Sequence, residues 1–134
     1  MPWCCRSRGF VVPTRPRVLL VDDHPGVVKA LGRALSPECD VVGVSAQGRE
    51  VADTATRLQP VVIVADLNLP DISGLDLCRQ ITPNNPHVKI IVITAMTDDA
   101  IRDEVLAAGA SGFFHKSAAN DLSAAIRRLW TGST

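Results

Sequence analysis

Five short apolar runs, nearly unbroken by polar residues, constrain this chain more than anything else in it. They read RVLLVDD from Arg17, CDVVGVS from Cys39, PVVIVAD from Pro60, VKIIVITA from Val88 and SGFFHK from Ser111. Val and Ile are stiff at χ1 and suit a pleated surface, so runs of this length predict strands. A strand wetted on one face alternates apolar and polar residues. A continuous run instead predicts burial on both faces, as in a parallel sheet covered by helices.

The intervening segments carry helical spacing. Val27, Val28, Leu31 and Leu35 share one face, with Pro25 suited to a first turn. Val51, Ala55 and Leu58 form a second, weaker stripe, and a short helix is predicted from Gly74 to about Thr82. Ile101, Val105 and Ala108 form another, with Thr97 as the predicted N-cap, Asp98 and Asp99 in the first turn and Gly109 at the end. Leu122, Ala125, Ile126 and Leu129 follow a predicted Asn120 cap. Strand–helix alternation of this kind predicts an α/β fold, a parallel sheet with helices on both faces. Function in such sheets gathers at the carboxyl ends of the strands, beside the point where strand order reverses.

The 134 residues suit one domain. No apolar run approaches the length of a membrane span, and residues 1–16 lack the pattern of a secretory signal, so a cytoplasmic location without membrane contact is expected. Those first residues, with their prolines and alternating Arg and Ser, read as a flexible leader. Residues 17–131 form the predicted domain, and residues 132–134 the start of a linker or tail. Charge is unevenly placed: residues 1–17 hold Arg6, Arg8, Arg15 and Arg17 and no acid, which leaves 14 acids against 10 bases in the rest. An acidic domain is a poor direct binder of nucleic acid. The four cysteines show no metal or redox spacing; Cys39 and Cys78 read as small buried residues, and Cys4 and Cys5 fall in the leader.

What ends each run carries the chemistry. The first ends in Asp22 and Asp23, the third in Asp66, the fourth in Thr94 and the fifth in Lys116, one of only three lysines. The second ends without a strong chemical group, as an edge strand can. Taken singly, each residue has a plainer reading: a capping pair, a turn former, a strand hydroxyl, a solvated lysine. Together, in chain order at four strand ends, they place three carboxylates, a hydroxyl and an ammonium on one rim. Clustered carboxylates call for a cation, and Mg²⁺ takes oxygen ligands and phosphate oxygens. A carboxylate can accept a phosphoryl group, with Lys and Thr stabilising its oxygens.

VLLVDDHP, VVIVADLNLPDISGLDL, IIVITA and GASGFFHK resemble the signature segments of receiver domains of bacterial two-component response regulators, from about Arg17 to Trp130. The style of VDDHP, GASGFFHKS and DLSAAIRRL resembles the LuxR/NarL-type branch. The resemblance implies a flavodoxin-like, doubly wound (βα)5 fold with strand order 2-1-3-4-5. It implies Asp66 as phosphoacceptor for a sensor histidine kinase, Mg²⁺ held by Asp23, Asp66 and the Asn68 carbonyl with Asp22 acting through water, and Lys116 and Thr94 on the phosphoryl group. Thr94 and Phe113 would form a conformational switch, with homodimerisation a possible response. The output implied is transcription, through a LuxR-type DNA-binding domain absent from this chain; the alternative is a stand-alone receiver acting as relay or adaptor. Phosphorylation and dephosphorylation would be the domain's own, without enzymology on another substrate. A haloacid-dehalogenase-like hydrolase would need a second Asp where Asn68 stands. The chain departs from the common pattern at Phe113, often Tyr, and at Ser117, often a cis-linked Pro; a cis bond before a non-proline costs roughly 2.5–4 kcal/mol. His24 and His115, beside the key acids and lysine, are expected to play surface or capping roles.

Overall fold

A computed structural model describes residues 15–96 and 98–131 of the chain. Five strands alternate with five helices: β1 (Arg17–Val21), α1 (Pro25–Leu35), β2 (Asp40–Ser45), α2 (Val51–Leu58, entered through a 3-10 turn at Gly48–Glu50), β3 (Val62–Asp66), α3 (Gly74–Asn84), β4 (Lys89–Thr94), α4 (Asp99–Ala107), β5 (Gly112–His115) and α5 (Ala119–Thr131). All pairings are parallel and the sheet order is β2-β1-β3-β4-β5, as the resemblance implied.

The continuous apolar runs divide their residues strictly by parity. Leu19, Val21, Ile63, Ala65, Ile90 and Val92 face α2, α3 and α4, where Val51, Ala55, Leu77, Cys78, Ile81 and Val105 complete one core. Val18, Leu20, Val62, Val64, Ile91 and Ile93 face α1 and α5, against Leu31, Leu35, Leu122 and Ile126. Every residue of β3 is buried, which is why its run has no polar interruption before Asp66. At the edge, β2 leaves Val44 half exposed, in keeping with the weaker chemistry at its end. Cys39 and Cys78 lie in the cores, and burial pushes both thiols up to about 11, so they act as small apolar residues.

Several local expectations are corrected. The predicted cap Thr97 lies outside the described residues, and Asp98 does the capping, its carboxylate accepting from the N–H groups of Ala100 and Ile101. Asn120 sits inside α5, which begins at Ala119, so it is not the cap. Ile101, placed on the apolar stripe of α4, is exposed, whereas Val105 is fully buried. The α3 helix runs to Asn84, two residues past Thr82, with Pro83 inside its last turn. Ser73 caps its start by accepting from the Asp76 N–H. At the end of α4, Gly109 adopts φ +113°, a left-handed conformation that favours glycine.

Arg15 and Pro16, assigned to the leader, already touch the domain: the Arg15 guanidinium donates to the Ser36 carbonyl, and the Pro16 carbonyl accepts from the Asp40 N–H. The rest of the predicted leader, Cys4 and Cys5 included, and residues 132–134 lie outside the described residues. No helix among the described residues is long and apolar enough to cross a membrane.

Candidate functional site

The carboxyl ends of β1, β3 and the segment after β5 converge on a cavity of about 320 Å³ lined by Asp23, His24, Asp66, Asn68, Pro70, Ala95 and Lys116. Asp66 is the last residue of the central, wholly buried strand β3, and only 1% of it is exposed. Asp22, one residue past β1, is equally buried, whereas Asp23 faces solvent. Two buried acids at the ends of adjacent strands need a counter-charge, and Lys116 supplies it. Its Nζ lies 3.0 Å from Asp66 Oδ2 and 3.2 Å from Asp22 Oδ2. Burial alone would weaken the lysine's charge, but the hydrogen bond to Asp66 and the close Asp22 and Asp66 carboxylates outweigh it and raise its pKa above 10.5.

The remaining lone pairs are unequally satisfied. Asp66 Oδ1 accepts from the Asn68 N–H at 3.1 Å. Asp22 Oδ1 accepts from the His24 N–H at 2.8 Å and lies 2.7 Å from His24 Nδ1. Asp22 Oδ2 is buried and has no hydrogen-bond partner among the described residues; its approach to Lys116 is an ion pair without hydrogen-bond geometry. A buried acceptor left this way is the kind of group that a cation in the pocket would satisfy. Oxygen ligands from Asp22, Asp23 and Asp66 lie within 4.8 Å of one another, so the donor set fits a hard divalent ion.

Close backbone packing holds the Asp66 loop. A Cβ on Gly74, at the start of α3, would stand 2.9 Å from both the Asp66 carbonyl oxygen and Leu67 Cα. No residue larger than glycine fits there without moving the chain beneath the carboxylate. Asp71, in the same loop, accepts from the N–H groups of Gly48 and Arg49 at 2.8 Å each and so ties this loop to the start of α2. Those bonds, the Arg49 N–H foremost, hold its carboxyl below the usual 3.8.

The expected set is only partly assembled. Asp22, Asp23, Asp66, Asn68 and Lys116 come together. Thr94 does not join them: its hydroxyl, almost wholly buried, donates to the Met96 carbonyl at 3.0 Å and accepts from the Met96 N–H at 3.2 Å. Phe113 pairs with Val92 across the sheet and packs against the α2–α4 core, away from the pocket.

Both histidines depart from expectation. His24 stands at the N-cap of α1 but makes no side-chain cap bond. Instead its Nδ1 enters the acid pocket, 2.7, 3.2 and 3.6 Å from Asp22, Asp23 and Asp66. The ring of His115 clasps two loops together: Nε2 meets the Ala95 carbonyl at 2.8 Å, and Nδ1 meets the Ser117 hydroxyl at 2.7 Å and its N–H at 3.1 Å. Because Nδ1 accepts the Ser117 N–H, Nε2 carries the proton that goes to Ala95. The signal for both was proximity to a strand end; side-chain direction in a loop has no sequence period to reveal it. Among the described residues no peptide bond is cis, Lys116–Ser117 included.

A doubly wound sheet of this order, with paired buried acids and a lysine at its carboxyl rim, defines the signalling α/β domains of the flavodoxin-like class. The receiver domain of response regulators matches residues 18–127, and the chain belongs to that family. Its members are signalling proteins rather than enzymes acting on separate substrates. The chain is 34% identical over 119 residues to the response regulator GacA of Pseudomonas protegens, covering 87% of this chain and 56% of that protein. It is likewise 34% identical over 121 residues to the DNA-binding transcriptional activator DevR/DosR of Mycobacterium tuberculosis, covering 87% and 55%. This chain therefore spans little more than half the length of these curated relatives. The receiver domain of the putative response regulator NarL from Mycobacterium tuberculosis superposes with a TM-score of 0.83 at 26% identity, covering 90% of this chain and 99% of that one. A LuxR-family response regulator from Aurantimonas superposes with a TM-score of 0.82 at 30% identity, covering 88% and 86%.

Proposed function

We propose that Asp66 accepts a phosphoryl group from the phosphohistidine of a sensor kinase in the cytoplasm. The observation that carries this reading is the pairing of a buried carboxylate, at the end of the central strand, with the Lys116 ammonium 3.0 Å away at the mouth of an open cavity. An Asp66 oxygen would form the new O–P bond as the P–N bond breaks, the electron pair leaving with the imidazole nitrogen. Asp22, Asp23, Asp66 and the Asn68 carbonyl are suited to hold Mg²⁺, which would neutralise charge on the transferring group. Lys116 is placed to move from Asp66 to a phosphoryl oxygen.

Thr94 would contact the same group only after releasing its two bonds to Met96, a loss of about 1 kcal/mol each that the charged phosphoryl oxygens would offset. That movement would free space beside Phe113 and alter the surface of α4, β5 and α5, for self-association or another partner. The output favoured by the relatives is transcription, through a LuxR-type DNA-binding region beyond this chain; DevR/DosR, as its name states, is a DNA-binding activator. Later attack by water on phosphorus would break the new bond and return inorganic phosphate.

Intact-mass spectrometry after incubation with acetyl phosphate and Mg²⁺ tests the reading. One added phosphoryl group is expected, absent from Asp66→Asn and in EDTA. An adduct that persists in Asp66→Asn, or none in the native chain, would overturn it.

A further inference from the structure

Neither capping nor packing sets the position of the His24 side chain. It occupies the N-cap of α1 without capping, and 56% of its side chain is exposed, so no packing holds it where it is. Even so, its Nδ1 lies within 3.6 Å of a carboxylate oxygen from each of Asp22, Asp23 and Asp66, and 3.3 Å from Lys116 Nζ. At 2.7 Å from Asp22 Oδ1, Nδ1 carries the ring proton and donates it to that carboxylate. An entering cation would take the place of that proton, the ring passing to its other neutral tautomer and turning the Nδ1 lone pair to the ion.

A second mark of a cation is Asp22 Oδ2, buried to about 1% exposure, which makes no hydrogen bond among the described residues and meets the Lys116 ammonium at 3.2 Å through charge alone. Its companion Oδ1 is engaged by the His24 backbone and ring, so Oδ2, which faces Lys116 without a hydrogen bond, is the oxygen an entering ion would take. One donor atom from each of Asp22, Asp23, His24 and Asp66 falls within 4.8 Å of the others, a span that one ion can bridge.

We propose that His24 is a nitrogen ligand of this pocket, and that it shifts the pocket's preference from Mg²⁺ towards first-row transition-metal ions such as Mn²⁺. The proposal rests on the acid pocket being a divalent-cation site. An all-oxygen set suits Mg²⁺, which gains little from imidazole; Mn²⁺, though it too favours oxygen, accepts imidazole better than Mg²⁺ does, and its later neighbours in the series better still. The exposed ring can swing aside for Mg²⁺ without disturbing either core, and can close on Mn²⁺. Other residues of the set do not discriminate in this way, because each offers only oxygen.

Electron paramagnetic resonance with Mn²⁺ tests it, on the native chain, His24→Gln and Asp23→Asn, with Mg²⁺ affinity measured by competition. The native chain should show spin-echo modulation from a directly bound imidazole nitrogen, lost in His24→Gln. His24→Gln should weaken Mn²⁺ binding by about tenfold and Mg²⁺ binding by less than roughly twofold. Retained Mg²⁺ binding shows at once that this variant is folded. Asp23→Asn should weaken both ions. Bound Mn²⁺ without nitrogen modulation, or equal losses for both ions in His24→Gln, would overturn the ligand assignment and leave the cation site intact. A native chain that binds neither ion would remove the cation site itself, and this inference with it.

Discussion

Replacing Lys116 by Met keeps most of the stem and deletes the charge, leaving Asp22 and Asp66 buried and facing one another without a cation. At an effective dielectric constant of about 20, contacts of 3.0 and 3.2 Å are each worth about 5 kcal/mol of gross attraction. Desolvation of the ammonium, 14% exposed, cancels much of that. The loss also has a ceiling. An unpaired carboxylate can take up a proton, which at pH 7 costs about 4 kcal/mol for an acid of ordinary pKa about 3.9. The expected destabilisation is therefore about 3–4 kcal/mol, or a fall in Tm of roughly 12–16 °C for a domain of this size.

Circular dichroism melts in EDTA and in saturating Mg²⁺ measure it. Mg²⁺ entering the native pocket would meet the lysine already on Asp22 and Asp66, so it should stabilise the Met variant more and reduce the deficit by at least half. The pH dependence has a fixed sign. A pKa raised on folding contributes stability that is fully present below 10.5 and is lost as pH climbs through the raised value. The native chain should show this alkaline loss and the Met variant should not. A deficit below about 3 °C in EDTA, or one unchanged by Mg²⁺, would refute the account of Lys116 as the pocket's internal cation.

Three further outcomes follow from the packing. Gly74→Ala should lose about 1–3 kcal/mol in denaturant titration and slow phosphoryl uptake from acetyl phosphate, because its Cβ meets backbone and not a movable side chain. Asp71→Ala should be less stable than the native chain at neutral pH. The native advantage is present above pH 3.8 and fades as pH falls through the depressed pKa of Asp71, so the two stability curves should converge in acid. Ile126→Ala, in α5 with no exposed surface, should lose about 2–5 kcal/mol in urea titration, with its far-UV spectrum preserved.

The sheet was the most legible part of the chain because its signal is local and redundant. Val62 to Ala65 are apolar on both parities, and only a strand covered twice needs that. The residues at the ends of such runs then fall on one rim by topology alone, so Asp22, Asp66 and Lys116 could be grouped before any contact was known. Helix starts were harder to place. Thr97, Asp98 and Asp99 are all plausible first-turn residues, and the choice of Asp98 depends on a backbone geometry that composition does not encode. The stripe of α4 misled because Ile101 stays about a third exposed at the start of the helix while Val105 is fully buried. His24 was misjudged for a related reason: which way a side chain turns beyond its strand depends on the carboxylates around it, and Asp66 comes from a distant part of the chain.

The parity sorting of β1, β3 and β4 also restricts how such a chain can change over time. Deleting one residue from the middle of β3 would exchange its two faces, presenting Ile63 and Ala65 to the wrong core and turning Asp66 away from Asp22. Length variation is therefore shut out of the strands and of the turns that carry the acids. It is open at the opposite rim, in the connections from each helix into the next strand, such as the stretch from Asn85 to Val88. Descendants of this sequence can lengthen, shorten and recompose those connections while the phosphate-facing rim keeps its spacing.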